Sequence, residues 1–499
     1  MFFRSEPEII NREPRFKDIM CSLESVPRLP RAFLRETREV LATARRFNDQ
    51  VVRPRALELD RLKHQDPDYL PWDFVEEANR WGFYTMFIPK LFGGHGVNMP
   101  ALSYFLEEIA SACAGMANLI GVHYLGVATI CGCWNVRLMN RLLRESADGE
   151  KCGKPCLISL AITEPEAGTD VEDLDLVDRA TVTCHAKKVS GGYLVNGRKI
   201  FISNGHLSTW HVLVAYADLE RPAENTVLMA VKTGTPGFSF GRQERKMGQK
   251  GCPASELIFE DCFVPDRDVL FEPSHAARYR RSVREMTMQA IDYVLSGSRA
   301  GVGAFGTGVA RGAYEEALRY AAETEVGGRL LINHEWAQCL LAEMYKNVAL
   351  ARLSYVEANY ANGLYGLFKL LQYKPLFYLM KYAPQAFIDR YIAPLLEKDF
   401  ATWLVRKIAF DWQEQEEAQR TSGWASLCKF SATDAGLKNC QMALELMGQG
   451  GVRHDGRIEK HLRDSKLMQI YEGTNQLNRL NLFKCFIARN LPAARVFDE

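Results

Sequence analysis

The spacing of apolar residues switches twice along the chain, and that switch limits the fold more than any other feature. Over 31–54, Phe33, Val40, Leu41, Ala44, Phe47 and Val51 recur at the interval that gathers them on one helix face. Pro71-Trp72-Asp73-Phe74-Val75 opens a second helix, with a proline and an early acid where helix starts favour them. Residues 100–144 read as helices rich in small side chains, which permits close packing. At Pro155 the character changes. A short apolar run over 157–163 is followed by strand-like segments at 193–205, 210–216, 226–232 and 255–259, with Asn-Gly turns at 196–197 and 204–205. Helical spacing then returns over 286–323, 335–362, 422–446 and 470–489, which predicts four long antiparallel helices in a bundle.

The expected fold class is therefore α+β, mainly α. An irregular lead-in at 1–30 precedes an N-terminal helical domain at 31–155, a middle antiparallel β domain at 156–270 and a C-terminal helical bundle at 271–499. Gly297, Gly301, Gly303, Gly306, Gly308 and Gly312 thin one side of the first bundle helix at a cost in helix propensity, which points to close packing or a ligand groove. Residues 363–421 interrupt the bundle. There Leu364, Tyr365, Leu367, Phe368, Leu370, Leu371, Tyr373, Leu376, Phe377, Tyr378, Leu379, Met380 and Tyr382 mix with Lys369, Lys374, Lys381 and Arg390, while Pro375, Pro384 and Pro394 divide the stretch into short helices. Two readings suit it: a helical insertion covering the bundle or a subunit contact, and a surface for a membrane or a protein partner.

Composition removes some classes of function. The net charge of +1 gives no electrostatic case for a nucleic-acid partner. The 13 cysteines form no CxxC pair, which argues against a disulfide framework or zinc ribbon and for a reducing compartment. His123 with Cys131 and Cys133 lacks a fourth ligand at a known spacing, so no metal is expected. The acidic start, with Glu6, Glu8 and Glu13, suits neither a secretory signal nor a transit peptide, and no uninterrupted apolar run reaches the ~18 residues of a membrane span. A cytoplasmic protein is the expectation.

The chemistry concentrates in Tyr471-Glu472-Gly473-Thr474-Asn475-Gln476. Gly473 permits a turn and the close approach of a ligand to the backbone. A carboxylate held in such a pocket suits a general base of raised pKa. An acid near a helix start, favoured by the helix dipole, is the plainer reading of the same four residues.

Four strings in order make the chain resemble the acyl-CoA dehydrogenase family over 31–489, apart from 363–421. They are Ile162-Thr163-Glu164-Pro165-Glu166-Ala167-Gly168-Thr169-Asp170; Lys199-Ile200-Phe201-Ile202-Ser203-Asn204-Gly205; Met247-Gly248-Gln249-Lys250-Gly251 with Glu256-Leu257-Ile258-Phe259-Glu260-Asp261; and Ile458-Glu459-Lys460 through Arg463-Asp464 to Glu472-Gly473-Thr474. The resemblance implies FAD and an acyl-CoA substrate, with Glu472 taking the α proton while a hydride leaves the β carbon for flavin N5. It implies that the Glu472 backbone N–H helps to hold the thioester oxygen. Some relatives carry the base just ahead of an arginine on the long helix; here Ser298, ahead of Arg299, fills that slot.

By the same resemblance, Ile162, Thr163, Gly168, Thr169, Phe201, Ile202, Ser203, Gly448, Thr474 and Gln476 bind the cofactor, and Thr169, Arg299 and Gly473 the substrate, with Arg299 at the CoA end of the groove. The partners it implies are an electron-transfer flavoprotein and a second copy of the chain, as homodimer or homotetramer. The chain departs from the family where an Arg-x-x-Phe-Gly is usual and Thr324, Val326, Gly327 and Gly328 stand, where Glu335 replaces a glutamine, and where Glu445 with Gly448-Gln449 replaces Gln-x-x-Gly-Gly. An oxygen-using oxidase of the same fold and a scaffold protein that kept the fold are the alternatives.

Overall fold

The structure, a computed structural model, describes residues 31–366, 369–411, 413–491 and 493–497. The lead-in at 1–30, with Leu367 and Phe368 and the side chains of Leu370, Leu371, Leu376 and Met380, lies outside that description. Helix α1 (Arg31–Phe47) does not stop at Pro54. It passes through a wide turn at Asn48–Val52 into α2 (Arg53–Gln65), and the proline, which has no N–H to give the helix, falls directly after that wide turn. Helices α3 (Trp72–Arg80), α4 (Ala101–Ala110), α5 (Ala114–Gly132) and α6 (Val136–Lys151) complete the N-terminal part. The 19 residues of α5 are apolar enough to cross a membrane by length and composition, yet they lie largely buried inside the protein. His123 on α5 serves the core: its Nδ1 accepts the Ile158 N–H at 3.1 Å, which leaves Nε2 to donate to the Tyr84 carbonyl at 2.8 Å.

The middle part is one sheet of eight strands: β1 (Leu157–Ala161), β2 (His185–Val189), β3 (Gly192–Ser203), β4 (Ser208–Tyr216), β5 (Thr226–Lys232), β6 (Phe238–Gln243), β7 (Ala254–Pro265) and β8 (Val269–Phe271). They run in the order β6-β7-β3-β2-β4-β5-β8, with β1 beside β4. The expectation of a purely antiparallel sheet needs correction. β1 pairs with β4 in parallel, Ile158 opposite Trp210, and His185 of β2 bridges Tyr216 in parallel. The long connection after β1 returns the chain to the sheet in the same direction, as a parallel pair requires.

Helix α7 (Val283–Glu323) is capped by Ser282 and Glu285, which accept from each other's backbone N–H groups. A tight hairpin follows, β9 (Glu325–Val326) with β10 (Arg329–Leu330), turning on Gly327 and Gly328 at φ +59° and +81°. Then come α8 (Glu335–Tyr365), α9 (Lys374–Tyr382), α10 (Asp399–Arg406), α11 (Gln415–Met447), α12 (Ile458–Met468) and α13 (Asn475–Leu482). The fourth bundle helix is shorter than expected. It starts at Asn475 with Thr474 as its cap, so 470–474 form a loop rather than its first turns.

The inserted helices dock on the N-terminal part. Lys381 pairs with Glu36 at 2.6 Å, and Arg144 with Asp389 at 2.8 Å. Tyr373, Tyr382, Tyr391 and Phe400 remain more than half exposed.

The α7 glycines explain how tightly α7 is gripped. A Cβ at Gly306 would sit 2.6 Å from the Ala432 carbonyl of α11, one at Gly308 2.5 Å from the Glu107 carbonyl of α4, and one at Gly312 2.2 Å from the Ser111 carbonyl. These contacts are with backbone, which cannot step aside. Gly308→Ala gains about 1 kcal/mol of helix propensity but should lose more, about 1–3 kcal/mol, to overpacking. Denaturant unfolding should show net destabilisation for Gly308→Ala and Gly312→Ala, and none for Gly297→Ala, where a Cβ meets open space.

Candidate active site

The four strings, far apart in sequence, meet around one loop. The first two are joined by a buried ion pair: Lys199 Nζ lies 2.9 Å from Glu164 Oε1, both side chains fully enclosed, and also donates to the Ile162 carbonyl at 2.8 Å. The Ile200 N–H donates to the Thr163 carbonyl at 2.9 Å. The third and fourth strings also lock together. Gln249, buried and at φ +49°, donates from Nε2 to the Asp464 carbonyl at 3.0 Å and to the Tyr471 hydroxyl at 3.1 Å. A side chain on Gly248 would strike the Arg463 carbonyl at 2.3 Å.

Tyr471 leads into the loop itself. Glu472 and Gly473 both have positive φ, +55° and +70°. For glutamate that backbone is strained by roughly 1–2 kcal/mol. Surrounding groups hold it. Asn478 Nδ2 donates to the carbonyls of Glu472, Gly473 and Thr474 at 3.2, 3.0 and 3.0 Å. Lys429 Nζ, from the middle of α11, donates to the Gly473 carbonyl at 2.7 Å and to Asn475 Oδ1 at 2.8 Å. The Gly473 N–H donates to Glu172 Oε1 at 2.7 Å, which clamps the loop to the turn after β1.

The Glu472 side chain turns toward α7, where the Ser298 hydroxyl donates to its Oε2 at 2.6 Å. Arg299 pairs with Glu172 at 3.3 Å and approaches the Glu472 carbonyl at 3.4 Å. Burial pushes the Glu472 carboxyl above its ordinary range; the Ser298 hydrogen bond and the charges of Arg299 and Lys429 pull the other way. Burial likewise raises Glu172, against Arg299, with the Glu472 charge adding to the rise. Burial drives Lys429 down to about 7. Asp292, two turns before Arg299, is pushed up to about 7 by burial and by Asp173. A narrow apolar cleft lined by Leu160, Ile162, Val171, Leu174, Val294 and Leu295 ends at Glu172.

Comparison with known proteins now adds to this geometry. Three family profiles match in order: the acyl-CoA dehydrogenase N-terminal domain over 35–150, its middle domain over 159–262, and its C-terminal domain over 288–362 and 400–485. The chain belongs to the acyl-CoA dehydrogenase family. It is 27% identical to cyclohex-1-ene-1-carbonyl-CoA dehydrogenase of Syntrophus aciditrophicus, over 89% of this chain and 88% of that protein. Among solved structures it resembles butyryl-CoA dehydrogenase from Megasphaera elsdenii, with a TM-score of 0.68 and 21% identity over 90% of this chain and 97% of the other. It also resembles a chain in the structure of the electron transferring flavoprotein of Acidaminococcus fermentans, with a TM-score of 0.69 and 22% identity over the same shares. The protein is thus an oxidoreductase of a family of FAD flavoproteins, and the C-terminal profile passes over 363–399, where the inserted helices lie.

Within that family the chain's own residues show where a flavin would fit. β3 shifts register between Lys199 and Ile202, which throws Phe201 out at φ +57° and leaves it 54% exposed. An uncovered aromatic beside Ser203 and Thr163 is a ledge with hydroxyls at hand, and it fits a flat ring system. Ile202 points into the sheet core, so it offers a cofactor only backbone. Side chains at Gly168 and Gly448 would meet nothing within 4 Å, so both backbones border open space. Thr169 begins the short turn that ends at Glu172. The Thr474 hydroxyl already accepts the Leu477 N–H at 3.2 Å, while Gln476 is exposed.

Arg299 is buried against the Glu472 backbone and Glu172. Glu172, Lys429 and Asn478 were missed from sequence. A lysine in mid-helix among small residues was the visible signal for Lys429. Ser298→Ala should raise the pKa of Glu472 further, since it removes a hydrogen bond that favours the charged form. Infrared titration of the buried carboxyl band, mutant against wild type, reads this shift.

Proposed function

We propose that the protein introduces a double bond between the α and β carbons of an acyl-CoA thioester, with Glu472 removing the α proton. The observation that carries this reading is a half-buried carboxyl of raised pKa on a loop whose Glu472 N–H has no acceptor among the described residues. Raised basicity suits a carboxylate to a weakly acidic carbon, and a free backbone donor suits the oxygen on which negative charge grows. Ile162, Thr163, Gly168, Thr169, Phe201, Ile202 and Ser203 would hold FAD from the sheet, with Gly448, Thr474 and Gln476 reaching it from the bundle. FAD bound there supplies the acceptor for the electron pair and hydrogen that leave the β carbon. The cleft at Glu172 would carry the apolar part of the thioester past Thr169 and Gly473. Ser298 keeps Glu472 oriented, and Arg299 and Lys429 keep it ionisable.

Electrons would pass to an electron-transfer flavoprotein, and the working form would be a homodimer or homotetramer in the cytoplasm. The hairpin at 325–330 stands where relatives place an arginine toward a neighbouring subunit, so any such interface here is built differently. The exposed aromatics of the inserted helices favour a second contact there, with a membrane or a partner protein.

Two substitutions test the reading. Glu472→Gln should lower turnover about 10²–10⁴-fold while FAD still binds, as read by acyl-CoA bleaching of the flavin absorbance. Unchanged turnover would exclude Glu472 as the base. Glu172→Gln removes a like charge and releases Arg299 to the base; both effects lower the Glu472 pKa. The acid limb of kcat/KM should therefore move to lower pH.

A further inference from the structure

A second cavity, of about 410 Å³, opens between the start of α6, the chain leaving β7 and helix α10 of the insertion. Its size is that of a small-molecule site. Five arginines line it, and their partners decide its charge. Arg137 pairs with Asp399 at 2.9 Å, and Arg141 with Asp268. Asp266 is met by Lys188 at 2.8 Å. That leaves Arg267, Arg278 and Arg406 facing a single remaining carboxylate, Glu397, whose Oε1 accepts from Asn140 at 2.6 Å.

Arg406 is the telling one. It is 3% exposed, yet among the described residues no carboxylate lies within ion-pair distance of it. Its guanidinium donates to the carbonyls of Cys133, at 3.1 Å, and Leu270. Those bonds satisfy N–H groups but not the charge. A buried cation without a counter-charge is strongly disfavoured. Arg267 and Arg278 are exposed and equally unpaired among the described residues. Trp403 and Tyr279 add aromatic faces to the same walls.

We infer that this cavity binds a phosphorylated nucleotide, whose phosphates neutralise Arg406, Arg278 and Arg267 and whose base lies against Trp403. Guanidinium forks match phosphate oxygens in pairs, and an aromatic face takes a planar base. The site stands apart from Glu472. Cys133, whose carbonyl accepts from Arg406, also lines the apolar cleft. The nucleotide has two sources: a free nucleotide, and the nucleotide end of a thioester.

Calorimetry on the FAD-loaded protein tests this with ADP and with inorganic pyrophosphate. The expected result is one ADP per chain, weakened by salt. The exposed pair Arg267→Gln, Arg278→Gln should weaken it about tenfold or more with an unchanged melting temperature. Trp403→Ala should weaken ADP but not pyrophosphate. Displacement of ADP by coenzyme A assigns the site to the thioester's nucleotide end; simultaneous binding of both assigns it to a free nucleotide. No binding of either probe at millimolar concentration, or binding indifferent to the arginine pair, overturns the inference, whatever the result at Glu472.

Discussion

The grip on the loop at Glu472 and Gly473 is what the rest of the site depends on. Two consecutive residues in the left-handed region do not hold themselves there. Four elements supply the restraint: Glu172 from the turn after β1, Arg299 from α7, Lys429 from α11 and Asn478 from α13. Each contact is made with the loop's backbone. The side chain of Glu472 and its own N–H are thereby left for chemistry. Releasing any one restraint would let the loop relax and move the carboxyl.

The same restraints set the electrostatics. Two carboxyls, Glu172 and Glu472, share an enclosed space with two cations, Arg299 and Lys429. Burial disfavours every charge there, raising the acids and lowering the lysine toward neutrality. Opposite signs at close range offset that cost. The cluster can therefore gain or lose a proton near neutral pH with little reorganisation.

Much of this was legible in the sequence. The two changes of apolar period gave the helix–sheet–helix order, because period reflects which face is buried. The Tyr-Glu-Gly-Thr string pointed to Glu472, and the Asn-Gly pairs marked turns. What stayed hidden was set by tertiary contact. Nothing local in Val171-Glu172 says that its carboxyl reaches a glycine N–H 301 residues away. Nor does the sequence around Arg299 say that packing encloses it against Glu172 and the Glu472 backbone. The parallel pairing of β1 depends on where a long connection returns, not on the strand itself. The fourth bundle helix was overextended because the apolar spacing continues through Ile470, whereas the cap at Thr474 decides the start. The inserted segment's division at its prolines was readable; its docking on Glu36 and Arg144 was not.

The enclosed pair of Lys199 and Glu164 carries a last consequence. Glu164 also accepts from the Thr183 hydroxyl at 2.9 Å and the Cys184 N–H at 3.1 Å, and Lys199 is fixed to the Ile162 carbonyl. Two stretches of chain far apart in sequence are thus fastened to each other by the fold itself. The entropy of bringing them together is lost during folding, not at the moment of association. A molecule arriving at that surface meets a finished template and does not bear the entropy of ordering it.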